Sequence, residues 1–283
     1  MAERLDVRKT YKLYVGGAFP RSESGRSYVV NDAKGRFLAN AAWASRKDVR
    51  DAVVAARGAV SGWSGATAYN RGQVLYRVAE VLEGRRAQFV DEIVAQQGVS
   101  AAVAGAQVDE AIDLWVWYAG WCDKYAQIAG NLNPVAGAYF NISAPEPTGV
   151  VAIVAPQESA LLGLVSVVAP ALVAGNAVVV VASEQYPLSA ISLAEVLATS
   201  DVPGGVVNVL TGSPAELAPW LAAHADVNAL DLAGAGGIDW VDLQIAAADT
   251  LKRVLAPGEV VASPQRIAAF TEVKTVWHPK SMV

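Results

Sequence analysis

The 283-residue sequence is poor in the residues that build covalent and metal-based frameworks. It has one cysteine, Cys122, and only two histidines, His224 and His278. A single cysteine excludes an intrachain disulfide framework and suits a reducing compartment such as the cytoplasm. Neither histidine has Cys or carboxylate neighbours at metal-ligand spacing, so we expect no zinc or iron site.

Positive charge is also scarce. The chain has 22 Lys and Arg against 27 Asp and Glu, a net charge of −5. Nucleic acids and anionic membranes attract basic surfaces, so neither is expected as a partner. The apolar run over 161–181 is broken by Gly163, Pro170 and Gly175, which favours a buried α/β core over a membrane span. Residues 1–4 lack the apolar segment of a secretory signal, so we expect a cytoplasmic protein.

With 53% hydrophobic residues, the chain can bury a large core. From Val150 onward, short apolar runs typical of buried strands alternate with helical patterns. Strands are predicted at 150–155, 177–181, 206–210 and 229–232, and helices at 161–174, 188–198, 215–223 and 238–248. This alternation predicts a parallel sheet covered by helices on both faces, an architecture that often binds nucleotides at the carboxyl ends of its strands.

The first half of the chain is predicted to be mostly helical. Ser45, followed three residues later by Asp48, has the pattern of a capping box. Cys122 lies on the apolar side of a helical segment, where a buried, inert thiol is expected. Further helices are predicted at 70–82, 87–97 and 108–125, and a hairpin at 131–141.

Several segments together carry a family resemblance. They are Glu146-Pro147-Thr148-Gly149-Val150-Val151, Ala169-Pro170-Ala171-Leu172-Val173-Ala174-Gly175-Asn176, Pro203-Gly204-Gly205-Val206-Val207-Asn208-Val209-Leu210-Thr211-Gly212 and the opening Tyr14-Val15-Gly16-Gly17. They resemble the aldehyde dehydrogenases, over about 11–254 and again from about 268. The resemblance implies an α/β fold, a Rossmann-like parallel sheet with helices on both faces, plus a small β oligomerisation element.

The resemblance also implies that the catalytic domain is missing. Leu251-Lys252-Arg253-Val254 is similar to the strand that leads into that domain, and 270–277 is similar to the closing oligomerisation strand. The family places its nucleophilic cysteine and its general-base glutamate between these strands, where this chain has only 255–269. The implied division is a Rossmann-like, NAD-binding-type domain at 1–125 and 149–255, a β element at 126–148 and 270–283, and a linker at 256–269.

The residues that would perform the chemistry are changed. Active members have Pro-Trp-Asn where this chain has Pro156-Gln157-Glu158, so Glu158 occupies the position of the oxyanion-hole asparagine. An ionised carboxylate only accepts hydrogen bonds, and losing one such donor costs roughly 100- to 1000-fold in rate. No cysteine follows Cys122, and without the family's motif Glu259 is not assigned as a base. We therefore expect no catalytic residue.

The cofactor positions implied by the resemblance are only partly kept. Glu184 stays in register with the glutamate that holds the adenosine ribose, but Val181 replaces the lysine beside it. Gly212 and Gly234 retain two turn glycines, although the glycine-rich run from Gly234 is a weak phosphate motif. We expect no bound cofactor and leave a residual NAD(P) site open.

The closest resemblance is to the noncatalytic second half of the tandem family-16 aldehyde dehydrogenases. It is carried by 32–36, 122–125, 161–170 and 200–203, and it implies that the tandem protein is split if this sequence is full length. The leading hypothesis is a noncatalytic subunit, a scaffold or regulator of a separate catalytic aldehyde dehydrogenase. We expect a homo-oligomer or a hetero-oligomer with that enzyme, joined through Val273, Thr275 and Trp277.

Two alternatives remain. One is an NAD(P)-dependent aldehyde oxidoreductase that converts aldehyde to carboxylate, although it would need a thiolate and a base that we do not identify. The other is a noncatalytic nucleotide-binding sensor, which Glu184 and the turn at Gly212 favour and Val181 disfavours.

Overall fold

The computed structural model describes residues 7–280. Residues 1–6 and 281–283, at the ends of two predicted domain segments, lie outside the described residues. In chain order the strands are β1 (Ser27–Asn31), β2 (Phe37–Ala42), β3 (Asn131–Asn133), β4 (Tyr139–Pro147), β5 (Val150–Val154), β6 (Ala177–Val181), β7 (Val207–Leu210), β8 (Ala229–Asp231), β9 (Arg253–Leu255) and β10 (Thr271–Pro279). The helices are α1 (Arg46–Gly65), α2 (Ala68–Gly84), α3 (Arg86–Gln97), α4 (Ala101–Trp121), α5 (Tyr125–Ala129), α6 (Leu162–Val173), α7 (Leu188–Ala198), α8 (Pro214–Ala223), α9 (Trp240–Ala248) and α10 (Pro264–Ala268).

The centre of the fold is a five-stranded parallel sheet in the order β7-β6-β5-β8-β9. Strands β6 and β7 are added on one side of β5, and the chain then crosses over to add β8 and β9 on its other side. This reversal makes the gap between β5 and β8 a topological switch point, where such sheets commonly bind ligands. The predicted α/β class with a parallel sheet is confirmed.

Two apolar cores lie on opposite faces of this sheet. Along β5, Val151 and Ile153 pack into one core and Val150, Ala152 and Val154 into the other, as the two-residue period of a strand requires. The first core is shared with α2, α3, α4, α6 and α7, and the second with α1, α8 and α9. Continuous apolar strands are therefore needed here, because both faces of the sheet are buried.

The capping box at the start of α1 is confirmed. The Ser45 hydroxyl accepts a hydrogen bond from the Asp48 backbone N–H at 3.3 Å, and the Asp48 carboxylate accepts one from the Ser45 N–H at 2.8 Å. The predicted start of the fourth helix was wrong by seven residues. That helix, α4, begins at Ala101, because Ser100 caps it by accepting a hydrogen bond from the Val103 N–H at 3.3 Å.

A second, antiparallel sheet has the order β10-β4-β3. The hairpin predicted at 131–141 is confirmed by the pairing of β3 with β4. Strand β10 pairs with β4 over nine residues, with Trp277 opposite Asn141, and forms an edge of the sheet. Between β9 and β10 the chain has only 15 residues, 256–270, which include the short helix α10.

Candidate functional site

A cleft of about 760 Å³ lies at the carboxyl ends of the central strands. The loops that follow β5, β6, β7 and β8 form its floor, and β1 forms one wall. Its lining residues are Tyr28, Val29, Val30, Asn31, Gln157, Glu158, Glu184, Gln185, Ser213, Pro214, Ala215, Ala233, Gly234, Gly236, Gly237 and Ile238. The cleft occupies the position where open α/β sheets bind ligands.

The structure brings together three of the residues singled out from the sequence. Glu158, Glu184 and Gly234 all line the cleft. Val181 does not, because its side chain is fully buried in the core beneath the sheet. Gly212 does not either. It forms a turn after β7 with a φ of +128°, and an added Cβ atom there would lie 3.2 Å from the Ala44 nitrogen.

Glu158 faces solvent at the mouth of the cleft. Its backbone carbonyl accepts a hydrogen bond from the Gln97 side-chain amide at 2.9 Å, which fixes the loop after β5. Within residues 7–280, no Lys, Arg or His nitrogen lies within ion-pair distance of its carboxylate. The position implied for an oxyanion-hole donor therefore carries an unpaired acceptor, the wrong polarity for stabilising a negative oxygen.

Gln157, which the sequence prediction did not assign, organises the cleft floor. Its side-chain oxygen accepts from the Glu184 N–H at 2.9 Å, and its side-chain amide donates to the Ala155 carbonyl at 2.6 Å. The Ser183 hydroxyl donates to the Gln157 carbonyl at 2.6 Å. The amide thus ties the end of β5 to the end of β6. One of its two N–H donors and its oxygen are thus used within the chain, which fixes the orientation of the amide at the cleft floor.

Gly234 is required by a close approach of two loops. A Cβ atom added there would lie 1.8 Å from the Ala155 carbonyl oxygen, far inside van der Waals contact. The Gly234 N–H also donates to the Val154 carbonyl at 2.9 Å. The glycine therefore has a packing role between the ends of β5 and β8, whether or not the cleft holds a ligand.

The residues that line the cleft carry negative and no positive charge. Glu158 and Glu184 contribute two carboxylates to the lining, and none of the lining residues is Lys or Arg. Helix α9, which follows the glycine-rich run, begins with Asp239 as its cap and has Asp242 in its first turn. A helix N-terminus attracts phosphate through its exposed N–H groups and dipole. Here the Asp239 carboxylate accepts from the Asp242 N–H at 3.5 Å, so the chain's own side chain already uses part of that end.

The connection between β9 and β10 is built into the core. The Arg266 guanidinium on α10 pairs with the Asp231 carboxylate at the end of β8, and the two side chains are 15% and 0% exposed. Ile267 of the same helix and Phe270 just after it are also fully buried. Glu259 is exposed and does not line the cleft. The short connection is thus joined to the end of β8 by a buried ion pair.

Cys122 is 3% exposed, and its Sγ lies 3.7 Å from the Tyr118 carbonyl. Burial raises the pKa of its thiol to about 12. Because the thiol is buried and its raised pKa keeps it protonated near neutral pH, we expect iodoacetamide to leave Cys122 unmodified in the folded protein. Mass spectrometry before and after unfolding in guanidinium checks this. Rapid labelling of the folded chain would contradict the assignment of Cys122 as a structural residue.

The described part of the chain offers little support for other kinds of site. Residues 7–280 contain no group of three His, Cys, Asp or Glu side chains placed to hold a metal ion. The Asp226 N–H donates to His224 Nδ1 at 3.2 Å, so that histidine stabilises a loop. No helix among the described residues is long and apolar enough to cross a membrane.

The three predicted interface residues lie on one face of the small sheet. Val273 and Trp277 are 66% and 55% exposed, and Thr275 lies between them. The Thr275 hydroxyl is 2.8 Å from that of Ser143, and the Trp277 ring packs edge-on against Tyr139 with centroids 5.7 Å apart. These cross-strand contacts hold the face rigid while its apolar groups stay open.

The opposite face of the small sheet is also apolar, and the sequence prediction did not identify it. Phe140, Ile142 and Val276 project there and are 47%, 43% and 36% exposed. The alternation of β4 could have signalled them, since they occupy every second position of paired strands. Both faces of this sheet therefore expose apolar side chains, which is unusual for a surface that stays in water.

Comparison with known proteins agrees with this geometry. The sequence pattern of the aldehyde dehydrogenase family matches residues 19–257. The chain is 30% identical over 260 residues to cytosolic 10-formyltetrahydrofolate dehydrogenase of Mus musculus, covering 89% of this chain and 28% of that protein. It is 32% identical over 260 residues to the putative aldehyde dehydrogenase DhaS of Bacillus subtilis, covering 90% of this chain and 52% of that protein. This chain thus spans about half or less of the length of these relatives.

Solved structures give the same result. The NAD+ complex of an aldehyde dehydrogenase from Bacillus cereus superposes with a TM-score of 0.80 at 26% identity, covering 87% of this chain and 50% of the other. PnpE from Pseudomonas sp. WBC-3 superposes with a TM-score of 0.81 at 28% identity, with the same coverage. In both cases half of the larger protein has no counterpart in this chain.

Proposed function

The chain belongs to the aldehyde dehydrogenase family, and from that premise we propose that it is a noncatalytic subunit, a scaffold or regulator of a separate, complete aldehyde dehydrogenase. The observation that carries the proposal is the 15-residue connection between β9 and β10. By resemblance to active members, the nucleophile and the base belong between these two strands. Here that interval holds α10 and its buried pair with Asp231.

The domain division that we propose is the one implied by the family resemblance. It assigns residues 1–125 and 149–255 to a Rossmann-like domain, residues 126–148 and 270–283 to an oligomerisation element, and residues 256–269 to a linker. Trp277 and its neighbours on β10 are the proposed contact with a second copy of this chain or with the catalytic enzyme. The family-16 tandem arrangement is the proposed origin of this division. We place the protein in the cytoplasm, which its single, buried cysteine supports.

The catalytic alternative is tested directly on the isolated chain. We expect no aldehyde-dependent formation of NADH or NADPH, because no cysteine lines the cleft and it therefore offers no thiolate nucleophile. The Cys122→Ser variant serves as the matched control and should be equally inactive. Turnover by the isolated chain that the Cys122→Ser change abolishes would overturn the proposal and restore the oxidoreductase assignment.

The nucleotide-sensor alternative depends on the cleft. We expect calorimetry with NAD and NADP to show no binding tighter than about millimolar, since two carboxylates and no cation line the cleft and α9 begins with its own acidic residues. A complete aldehyde dehydrogenase titrated under the same conditions is the positive control. Micromolar binding of NAD by this chain would contradict the expectation and favour a sensor.

A further inference from the structure

A second concave site lies away from the cleft, on the other side of β1 and β2. It is a groove of about 370 Å³ between the segment 8–12 and the segment 21–27, with β2 as its floor. Five of its 15 lining residues are Lys or Arg, and none is Asp or Glu. This composition is unexpected in a chain with a net charge of −5. The five cations are Arg8, Lys9, Lys12, Arg21 and Arg26.

The groove is a fixed part of the fold. Residue Tyr11 forms a parallel bridge with Ala41 of β2, and its carbonyl accepts from the Ala42 N–H at 3.0 Å. The segment then turns back on itself. Leu13 donates to the Pro20 carbonyl at 3.1 Å, and Val15 bridges Ala18 in antiparallel fashion. Both walls of the groove are therefore held by backbone hydrogen bonds.

Lys12 and Arg21 lie on the two segments joined by this turn, and both line the groove. The bridge of Val15 with Ala18 and the bond from Leu13 to Pro20 share one antiparallel register, and continuing that register by one residue puts Lys12 across from Arg21. Like charges opposite each other across strands repel and destabilise the pairing. Within residues 7–280, no carboxylate lies within ion-pair distance of either side chain. The fold thus keeps two cations together without a counter-charge from its described part.

Two other cations of the groove are already paired. Lys9 lies 2.7 Å from Glu195, and Arg26 lies 3.3 Å from Glu216. Neither glutamate lines the groove. Lys12 and Arg21 have no such partner within residues 7–280, so their positive charge is not compensated by the described part of the chain.

We propose that this groove binds a small molecule carrying at least two anionic phosphate or carboxylate groups. The volume lies in the range of small-molecule sites, and paired Lys and Arg side chains are the usual ligands of such oxyanions. An anion seated between Lys12 and Arg21 relieves their mutual repulsion and gains charge-assisted hydrogen bonds from both. The apolar parts of Tyr11 and Phe37 line the same groove and offer packing to the body of the ligand.

The test is calorimetry of the full chain at low salt, with pyrophosphate, tripolyphosphate and citrate as probes. The Lys12→Gln/Arg21→Gln double variant is compared with Lys34→Gln/Arg50→Gln, which removes the same charge from exposed positions outside the groove. We expect the first variant to weaken binding by about tenfold or more, and the second to change it less than about twofold. Thermal unfolding of both variants without probe shows that they are folded.

Binding of the phosphates alone identifies a phosphorylated ligand, and binding of citrate alone identifies a polycarboxylate. Either result supports the proposal when only the groove variant weakens it. The proposal fails if none of the probes binds at millimolar concentration, or if the two double variants weaken binding equally. This outcome is independent of the proposed assembly, because the groove does not include β10.

Discussion

Replacing both Val273 and Trp277 with lysine will weaken assembly with the partner, or with a second copy of the chain, by at least about 100-fold in dissociation constant. Both side chains lie on one face of β10 and are more than half exposed, so they contribute little to the folded monomer. An exposed apolar edge strand is a ready template for strand pairing, and tryptophan is among the residues that most often dominate interface energies.

The matched control for this change is Val54→Lys. Val54 is 60% exposed on α1, close to the 66% of Val273, but lies outside the small sheet. We expect the control to keep full assembly, and both variants to unfold within about 1 kcal/mol of the parent protein. Sedimentation velocity over a concentration series measures the dissociation constants. Unchanged assembly of the Val273→Lys/Trp277→Lys variant would remove β10 from the interface.

Replacing Arg266 with methionine will lower the free energy of unfolding by about 3–5 kcal/mol at neutral pH. Asp231 is 0% exposed, and Arg266 is the cation paired with it. Removing the guanidinium leaves a buried carboxylate without a counter-charge, which is far more costly than losing an exposed pair. The Arg77→Met change, which breaks an exposed pair with Glu80, is the control and should cost less than about 1 kcal/mol.

The stability of the Arg266→Met variant should depend on pH, and the direction of this dependence follows from the pKa of Asp231. Burial raises the pKa of Asp231 even beside Arg266, and the remaining hydrogen bond from the Ala233 N–H opposes this only in part. A raised pKa in the folded state means that the folded chain binds the proton more tightly than the unfolded chain. Stability is therefore lost as pH rises from about 4 through the folded pKa. The Arg266→Met variant should recover part of its loss when the pH is lowered toward that range.

A double change separates the charge from the packing. In Asp231→Ala/Arg266→Met both ionisable groups are gone, and we expect most of the lost stability to return. Chemical denaturation of the two single variants and the double variant gives the coupling energy. If Arg266→Met and the double variant lost the same free energy of unfolding, the unpaired Asp231 charge would not be the cause of the loss. The connection would then be stabilised by packing and not by the ion pair.

The central α/β unit could be predicted because its strands β5 and β6 are continuous runs of apolar residues. A strand such as β6 (Ala177–Val181) is buried on both faces, so every position is apolar and the run stands out from the helices around it. The antiparallel hairpin β1–β2 was not predicted. Its residues alternate between exposed and buried positions, and Phe37 and Val29 remain 42% and 56% exposed. A half-exposed hairpin has no comparable apolar run.

The candidate site could be predicted only as a list of departures from a family pattern. That pattern located Glu158, Glu184 and Gly234, and the fold brings these three to one cleft. It did not reveal Gln157, whose role depends on two hydrogen bonds to a loop 26 and 27 residues away in the sequence. The pairing of Asp231 with Arg266 was missed for the same reason. Both partners are ordinary charged residues until the fold buries them together.

The proposed assembly can be tested by light scattering coupled to size-exclusion chromatography on this chain co-expressed with a complete aldehyde dehydrogenase from the same organism. We expect a stable mixed complex with a defined mass, which the Val273→Lys/Trp277→Lys variant fails to form. If this chain and the enzyme eluted separately and the chain stayed monomeric on its own, it would not be a subunit of that enzyme.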